Sequence, residues 1–323
     1  MKTGIPGVAL AALCIVTAPP LAAQTYPAKP VKIVVPFPPG GPTDVVGRLV
    51  ATKLGEAMGQ QFVVENRAGA GGTVGSESVS HAPADGYTLL YGSTSTLAMA
   101  PSLYRKLGYD PRKSFAPVSL VSSGPLLVAV NAGVPAQSLA QLIALAKEKP
   151  GALNYGSAGN ATPPHLAGEL FKSLSGSNLT HVPYKGGAPA LQAVAAGEVQ
   201  VIFEGIVTLL PQIKAGRLRA LAVTGTARDA ALPDVPTVAE AGFAAFQVNF
   251  WSGLVAPAGT PSEVVGTLNN VLRRVLDAPD VRETLTRFGL SPLGTSPAEF
   301  ARFIDAEIVR WEKAVQVSGA RID

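Results

Sequence analysis

The chain has 323 residues, 47% of them hydrophobic and 15% charged, with 34 Gly, 28 Pro and a net charge of +4. Low charge and ample apolar content exclude a disordered chain, and the length suits about two domains. The mild positive balance comes without a Lys/Arg cluster, and aromatics make up only 6%, which argues against nucleic acid as a partner.

Lys2, the apolar run from Ile5 to Val16 and the small-residue stretch ending at Ala22-Ala23 have the three parts of a secretory signal peptide. Cleavage is expected near Ala23. Cys14, the only cysteine, lies inside this run, and Leu13 before it is not the small residue that a lipoprotein signal needs. The mature chain therefore has no thiol, which excludes thiolate catalysis, disulfides and Cys-ligated zinc. No later apolar run reaches the roughly 18 residues of a membrane span. These features predict an exported, globular, soluble protein.

Val31–Val35 reads as a strand, followed by the loop Phe37-Pro38-Pro39-Gly40-Gly41-Pro42-Thr43-Asp44. Val46, Val50, Leu54 and Met58 then recur at the spacing of one helix face. Phe62-Val63-Val64 is a second strand, Gly69–Gly75 a flexible loop, and Tyr87–Tyr91 a third strand after the turn Asp85-Gly86. Leu126–Val130, a helix from about Ser138 to Lys149, and a strand around Leu153-Tyr155 follow. Val199–Phe203 and Arg219–Val223 read as buried strands flanking a helix that ends at Gly216. Strands alternating with helices predict an α/β fold with a mostly parallel sheet covered on both faces. From Thr260 onward the pattern is helical. Thr260-Pro261-Ser262-Glu263 and Ser296-Pro297-Ala298-Glu299 both read as capping boxes. Phe300, Phe303, Ile304, Ile308, Trp311 and Val315 make one long apolar face, which predicts a final helix that returns to the first domain. Residues 24–124 and 252–323 would then form a discontinuous domain 1 and residues 125–251 domain 2. The chain would cross between them near Ser122–Pro125 and Asn249–Leu254, leaving a hinged cleft.

Two Gly-rich turns lead from strands into helices: Phe37–Asp44 and Tyr155–His165. Such loops lie beyond the carboxyl ends of strands, where ligands of open α/β sheets bind, and helix N-termini favour anions. The two late helices carry a Glu of their own in the first turn, whereas these two have Val46 and His165 at the corresponding place. Their amides are expected to be more available to an outside anion, although Asp44 is near enough to occupy the first. Pro163 and Pro164 remove two donors from the second, so the amides of Ser157, Gly159 and Ala161 and the hydroxyls of Ser157 and Thr162 would carry more of the binding. Ordinary tight turns would give the same pattern.

Neither loop has the spacing of a nucleotide-phosphate motif, and Gly156-Ser157-Ala158-Gly159 only loosely resembles a nucleophile elbow. His165 and Glu169, one turn apart, lack a third metal ligand, and no metal or cofactor is expected. His81 and His181 read as structural. Glu204, ending a buried strand, suits either the cleft or a surface turn. Tyr184 and Lys185 sit at another strand end.

The run from Tyr26 to Asp44 closely resembles the tripartite tricarboxylate transporter receptor family, also called the Bug family. Glu65–Gly72, Ala84–Leu90, Tyr155–Asn160, His181–Gly187 and Leu232–Thr237 resemble it in the same order along the chain. The resemblance implies a monomeric periplasmic solute-binding protein of the two-domain, type II binding-protein fold. Such a receptor closes over a small organic mono- or dicarboxylate and delivers it to inner-membrane transporter subunits. In that family the first Gly-rich loop holds one carboxylate, often through ordered water, and the second domain's loop reads the rest. By matching position the implied ligand-binding residues are Phe37, Gly40, Gly41, Asp44, Ser93, Thr94, Ser157, Gly159, Thr162, His165, Tyr184 and Glu204. Two departures bear on the ligand: Glu204-Gly205 where the family often has Asp-Asn, and Thr96-Leu97 where a Thr-His pair is frequent. The rival readings are an exported serine hydrolase using Ser157 with His165, and a solute-sensing subunit of a signalling system.

Overall fold

The computed structural model describes residues 26–160 and 162–318. The segment read as a signal peptide, Cys14 and Ala161 lie outside the described residues. In chain order the strands are β1 (Val31–Val35), β2 (Phe62–Asn66), β3 (Thr88–Ser93), β4 (Phe115–Asn131), β5 (Leu153–Ser157), β6 (Leu179–Pro183), β7 (Val201–Gly205), β8 (Leu218–Val223), β9 (Asn249–Pro257) and β10 (Ser291–Pro292). The α-helices are α1 (Pro42–Met58), α2 (Thr73–Ser80), α3 (Ala100–Leu103), α4 (Leu139–Glu148), α5 (Pro163–Ser175), α6 (Gly187–Ala196), α7 (Ile206–Lys214), α8 (Ser262–Asp277), α9 (Pro279–Arg287) and α10 (Pro297–Ser318).

One sheet runs in the order β2-β1-β3-β9-β4-β7-β5-β6, with β8 and β10 also pairing to β4. The expected parallel pairing holds within β2-β1-β3 and β7-β5-β6. The sheet as a whole is mixed, because every pair made by β4 or β9 is antiparallel. These two strands carry the chain from one parallel group to the other and back, so they run against each other. Their pairing places Ser123 opposite Trp251, Gly124 opposite Phe250 and Pro125 opposite Asn249, next to a register shift between Leu120 and Ser122.

β1 is buried except at Lys32, as a Val/Ile run inside a parallel sheet must be. Helix α1 opens with Pro42 at its first position and closes on Gly59 in the left-handed conformation, whose N–H returns to Gly55 O at 3.0 Å. Val46, Val50 and Leu54 bury one face of α1 against β1 and α8. Gly69–Gly75 is more ordered than its composition suggests. Ala70–Gly72 form a 3-10 turn and Thr73 begins α2. Gly75 is required there, since a Cβ would sit 2.5 Å from Arg67 O.

Helix α10 buries Phe300, Ile304, Ile308, Trp311 and Val315. It packs on the segment Ser95–Leu103 and on β4, and also on α5, so it touches both parallel groups rather than the first alone. Of the two expected capping boxes, Ser296 forms one: its N–H reaches Glu299 Oε2 at 2.8 Å and its Oγ accepts the Glu299 N–H at 3.3 Å. Thr260 does not. Its hydroxyl donates to Pro257 O at 2.7 Å, and α8 starts at Ser262 with Pro261 as the flanking residue.

Candidate functional site

A cavity of about 130 Å³ opens between the two parallel groups, close to the ~150 Å³ of an engineered cavity that takes benzene. It therefore suits a body of that size. Four segments meet there. Pro38–Thr43 leads into α1, Ser93-Thr94-Ser95 ends β3, Thr162–Pro164 opens α5, and Gly186–Pro189 opens α6. Phe250-Trp251-Ser252 of β9, Leu126 of β4 and Leu290 complete the wall, with Glu204 at the end of β7.

The first-turn amides of a helix have no acceptor within it, and neither α1 nor α6 has a side-chain cap. Both helices open at the cavity, each losing one donor to a proline, Pro42 in α1 and Pro189 in α6. The opening of α5 offers few, because Pro163 and Pro164 fill its first two positions.

The polar floor of the cavity comes from the end of β3. Ser93 and Ser95 are 7% and 1% exposed, and both hydroxyl oxygens are buried without a hydrogen-bond partner among the described residues. Thr94 between them is fully engaged: its Oγ1 accepts the Trp251 N–H at 2.8 Å and donates to Trp251 O at 3.2 Å. That pair of bonds fixes Trp251 of the wall. The indole N–H of Trp251 donates to Glu307 Oε2 of α10 at 2.8 Å. Thr96 Oγ1 accepts the Ser93 N–H at 3.1 Å, which shapes the same turn, while Leu97 is wholly buried in the core. The departure at Thr96-Leu97 thus lies behind the cavity wall rather than on it.

Six of the sequence candidates line the cavity together: Phe37, Gly41, Ser93, Thr94, Thr162 and Glu204. The others have different surroundings. Helix α1 begins at Pro42, so the acid in its first turn is Asp44, not Val46 further along. The buried Asp44 carboxylate accepts the Gly40 N–H at 2.9 Å, Asn66 Nδ2 at 2.7 Å and Arg48 Nε at 3.0 Å. Burial alone would raise its pKa, but these donors outweigh it and hold the carboxyl below the usual carboxylate range. Asp44 shapes the loop rather than facing the cavity. Gly40, with φ +84, lines a neighbouring crevice beside Phe250 and Leu290.

Ser157 is wholly buried. Its hydroxyl pairs with His181 Nε2 at 2.7 Å and accepts the Gly159 N–H at 3.1 Å. Thr162 donates its hydroxyl to Gly159 O at 2.7 Å. The hydroxyls expected to compensate for the two prolines are therefore engaged elsewhere, by His181 of β6 and by Gly159. His165 is 8% exposed and stacks on His181 with ring centroids 4.3 Å apart. Burial holds both imidazoles below the usual range, and the neighbouring His165 helps lower His181 to about 4. The partner of Ser157 is thus His181, not His165. Glu169 takes the Tyr155 hydroxyl at 2.6 Å and Lys172 Nζ at 2.9 Å. Tyr184 turns its ring toward Gly156 and packs on the core beside Val194.

Glu204 is 6% exposed. One carboxylate oxygen accepts the Gly205 N–H at 2.8 Å, and burial raises its pKa to about 7. A Cβ on Gly187 would lie 2.9 Å from its other oxygen, so the glycine at the start of α6 leaves room for this acid.

Sequence reasoning missed Ser95, the aromatic pair Phe250-Trp251 and the opening of α6. A signal for α6 exists: Gly186-Gly187-Ala188-Pro189 repeats the Gly-Gly-then-Pro order of Gly40-Gly41-Pro42 after a strand. No local pattern marks Phe250, which reaches the cavity only because β9 crosses beside β4.

Residues 46–320 match the family described as tripartite tricarboxylate transporter family receptor. Protein BugT of Bordetella pertussis is 38% identical over 306 residues, covering 94% of this chain and 94% of its own. Two solved structures from Rhodopseudomonas palustris superpose closely. One is Rpa4515 with adipate, at 39% identity and a TM-score of 0.89, covering 92% of this chain and all of the other. The second is MatC with bound malate, at 38% identity and a TM-score of 0.85, covering 90% of this chain and all of the other. The chain belongs to the tripartite tricarboxylate transporter receptor family.

Proposed function

We propose that this receptor captures a small organic mono- or dicarboxylate in the cavity between Pro38–Thr43, Ser93–Ser95 and the opening of α6, and delivers it to membrane subunits of a tripartite tricarboxylate transporter. The observation that carries this reading is the pair of buried, partnerless hydroxyls of Ser93 and Ser95 beside an uncapped helix terminus. Desolvating a carboxylate is costly unless donors replace its water, and unpaired buried hydroxyls are costly until something accepts from them. Each resolves the other's deficit. The adipate and malate bound by the two R. palustris relatives are ligands of this class.

In this reading residues 24–124 with 252–323 form one lobe and 125–251 the other, flexing where β4 and β9 cross. The cavity-lining candidates touch the ligand, while Asp44, Ser157, Gly159 and His165 set the loops that carry them. An N-terminal signal peptide places the mature protein in the periplasm. The protein acts by binding, without chemistry on its ligand. Against the hydrolase reading, Ser157 is buried, its hydroxyl is held by His181 of β6 and the Gly159 N–H, and it does not line the cavity.

Titration calorimetry with a panel of organic acids, their neutral amides and sugars tests the reading. Binding by at least one acid and by none of the matching amides is expected. Binding by sugars or amides alone would overturn it.

A further inference from the structure

Resting on the carboxylate-receptor reading, we propose that Glu204 reads the end of the ligand remote from Ser93–Ser95. It selects a monocarboxylate whose far end donates a hydrogen bond, by ammonium, hydroxyl or amide, over a dicarboxylate.

Among the described residues, Glu204 and Lys185 are the only ionisable ones lining the cavity. Glu204 is almost wholly buried, whereas Lys185 is exposed. The Gly205 N–H binds one oxygen of Glu204, and none of the described residues donates to the other. That oxygen lies beside Gly187, at the rim where α6 opens onto the cavity. An acceptor beside a ligand site to which none of the described residues donates is complementary to a donor on the ligand. Against a second carboxylate it is repulsive unless one of the two acids holds a proton.

Apart from the exposed Lys185 at the cavity, the elements packed on β7 bring no charge to the Glu204 carboxylate. β7 packs on β4, β5, α5, α6 and α7. β4 and α6 contain no ionisable side chain, and Lys214 sits in the last turn of α7, away from its opening. Tyr155 of β5 packs on Phe203, while His165, Glu169 and Lys172 of α5 join Tyr155 in one cluster. Phe203 and Glu204 are adjacent in a strand and so point to opposite faces. Burial without a cation explains why Glu204 keeps its proton to about pH 7. Acidic solution should therefore relax the exclusion of dicarboxylates.

The test is calorimetric affinity for ε-aminocaproate, hexanoate and adipate, measured on the intact protein and on Glu204→Gln at about pH 6 and about pH 8. The intact protein should prefer ε-aminocaproate to adipate by on the order of tenfold or more at about pH 8. Its affinity for adipate should fall by about tenfold from the lower to the higher pH, as the Glu204 proton is lost. Glu204→Gln should abolish both the preference and that pH dependence, and hexanoate should bind with little pH dependence in either protein. Adipate bound more tightly than ε-aminocaproate at about pH 8, or a preference unchanged by Glu204→Gln, would overturn the inference while leaving the receptor reading intact. A panel of acids of every length and shape, none of which binds, would defeat the receptor reading itself.

Discussion

Replacing both Ser93 and Ser95 with Ala should stabilise the empty receptor while weakening its ligand binding. Neither hydroxyl has a partner, so no internal hydrogen bond is lost, and the variant is relieved of two buried, desolvated polar groups. A buried unsatisfied hydroxyl costs about 1–3 kcal/mol. Loss of the serine oxygens leaves small voids that return part of the gain, so we expect a net stabilisation of about 1 kcal/mol, or a few degrees in Tm. In the complex the same hydroxyls donate to a charged carboxylate, where each bond is worth about 1.5–3 kcal/mol. The variant should therefore lose at least about tenfold in affinity. Differential scanning calorimetry of the ligand-free protein and titration calorimetry of the complex measure the two effects separately. A variant that is less stable when empty, or that binds acids as well as the parent, would refute the assignment of these hydroxyls to the ligand.

Gly41→Asp has room to fold, since a Cβ there meets only Pro38 O at 3.8 Å. A carboxylate at the N-terminus of α1 should change stability by no more than about 1 kcal/mol in the favourable direction while abolishing acid binding; Tm and calorimetry check both. The Glu204 contribution to the stability of the ligand-free protein should decline as pH rises from about 4.5 to about 7 and level off above, against an opposing rise from His181 over much of the same range. Burial lifts the pKa of Glu204 in the folded state above its ordinary value, so folding favours the protonated acid. Glu204→Gln should remove this slope, worth up to about 3 kcal/mol, in urea unfolding series across pH. His181 has the opposite sign. Burial and His165 depress its pKa to about 4, so its contribution is intact above about pH 6.5 and is lost as pH falls toward about 4. His181→Gln should flatten that acid limb in the same series.

What the sequence displayed most openly was local periodicity. The Val31–Val35 run, the four-residue spacing along α1 and the apolar stripe of α10 all depend on neighbours in the chain, and each formed the element expected. The two Gly-rich turns were legible for the same reason, since each lies between a strand and a helix with Pro at its start. What a side chain in those turns faces depends on distant partners. Asp44 turns from the cavity because Asn66, from β2, is within reach. Ser157 turns inward because β6 runs beside β5 and brings His181 to it. Thr260 had the pattern of a cap, yet Pro257 O captured its hydroxyl. The mixed character of the sheet escaped periodicity too. A buried strand reads the same in either direction, and only the passage of β4 and β9 between the two groups sets their antiparallel pairing.

The central claim, that a carboxylate is held at the end of β3 beside the opening of α1, is tested most directly by a crystal structure of the receptor with a bound organic acid. We predict carboxylate oxygens within about 3 Å of the Ser93 or Ser95 hydroxyl or of a first-turn amide of α1. An acid seated on another surface, or one whose carboxylate points away from these donors into solvent, would contradict it.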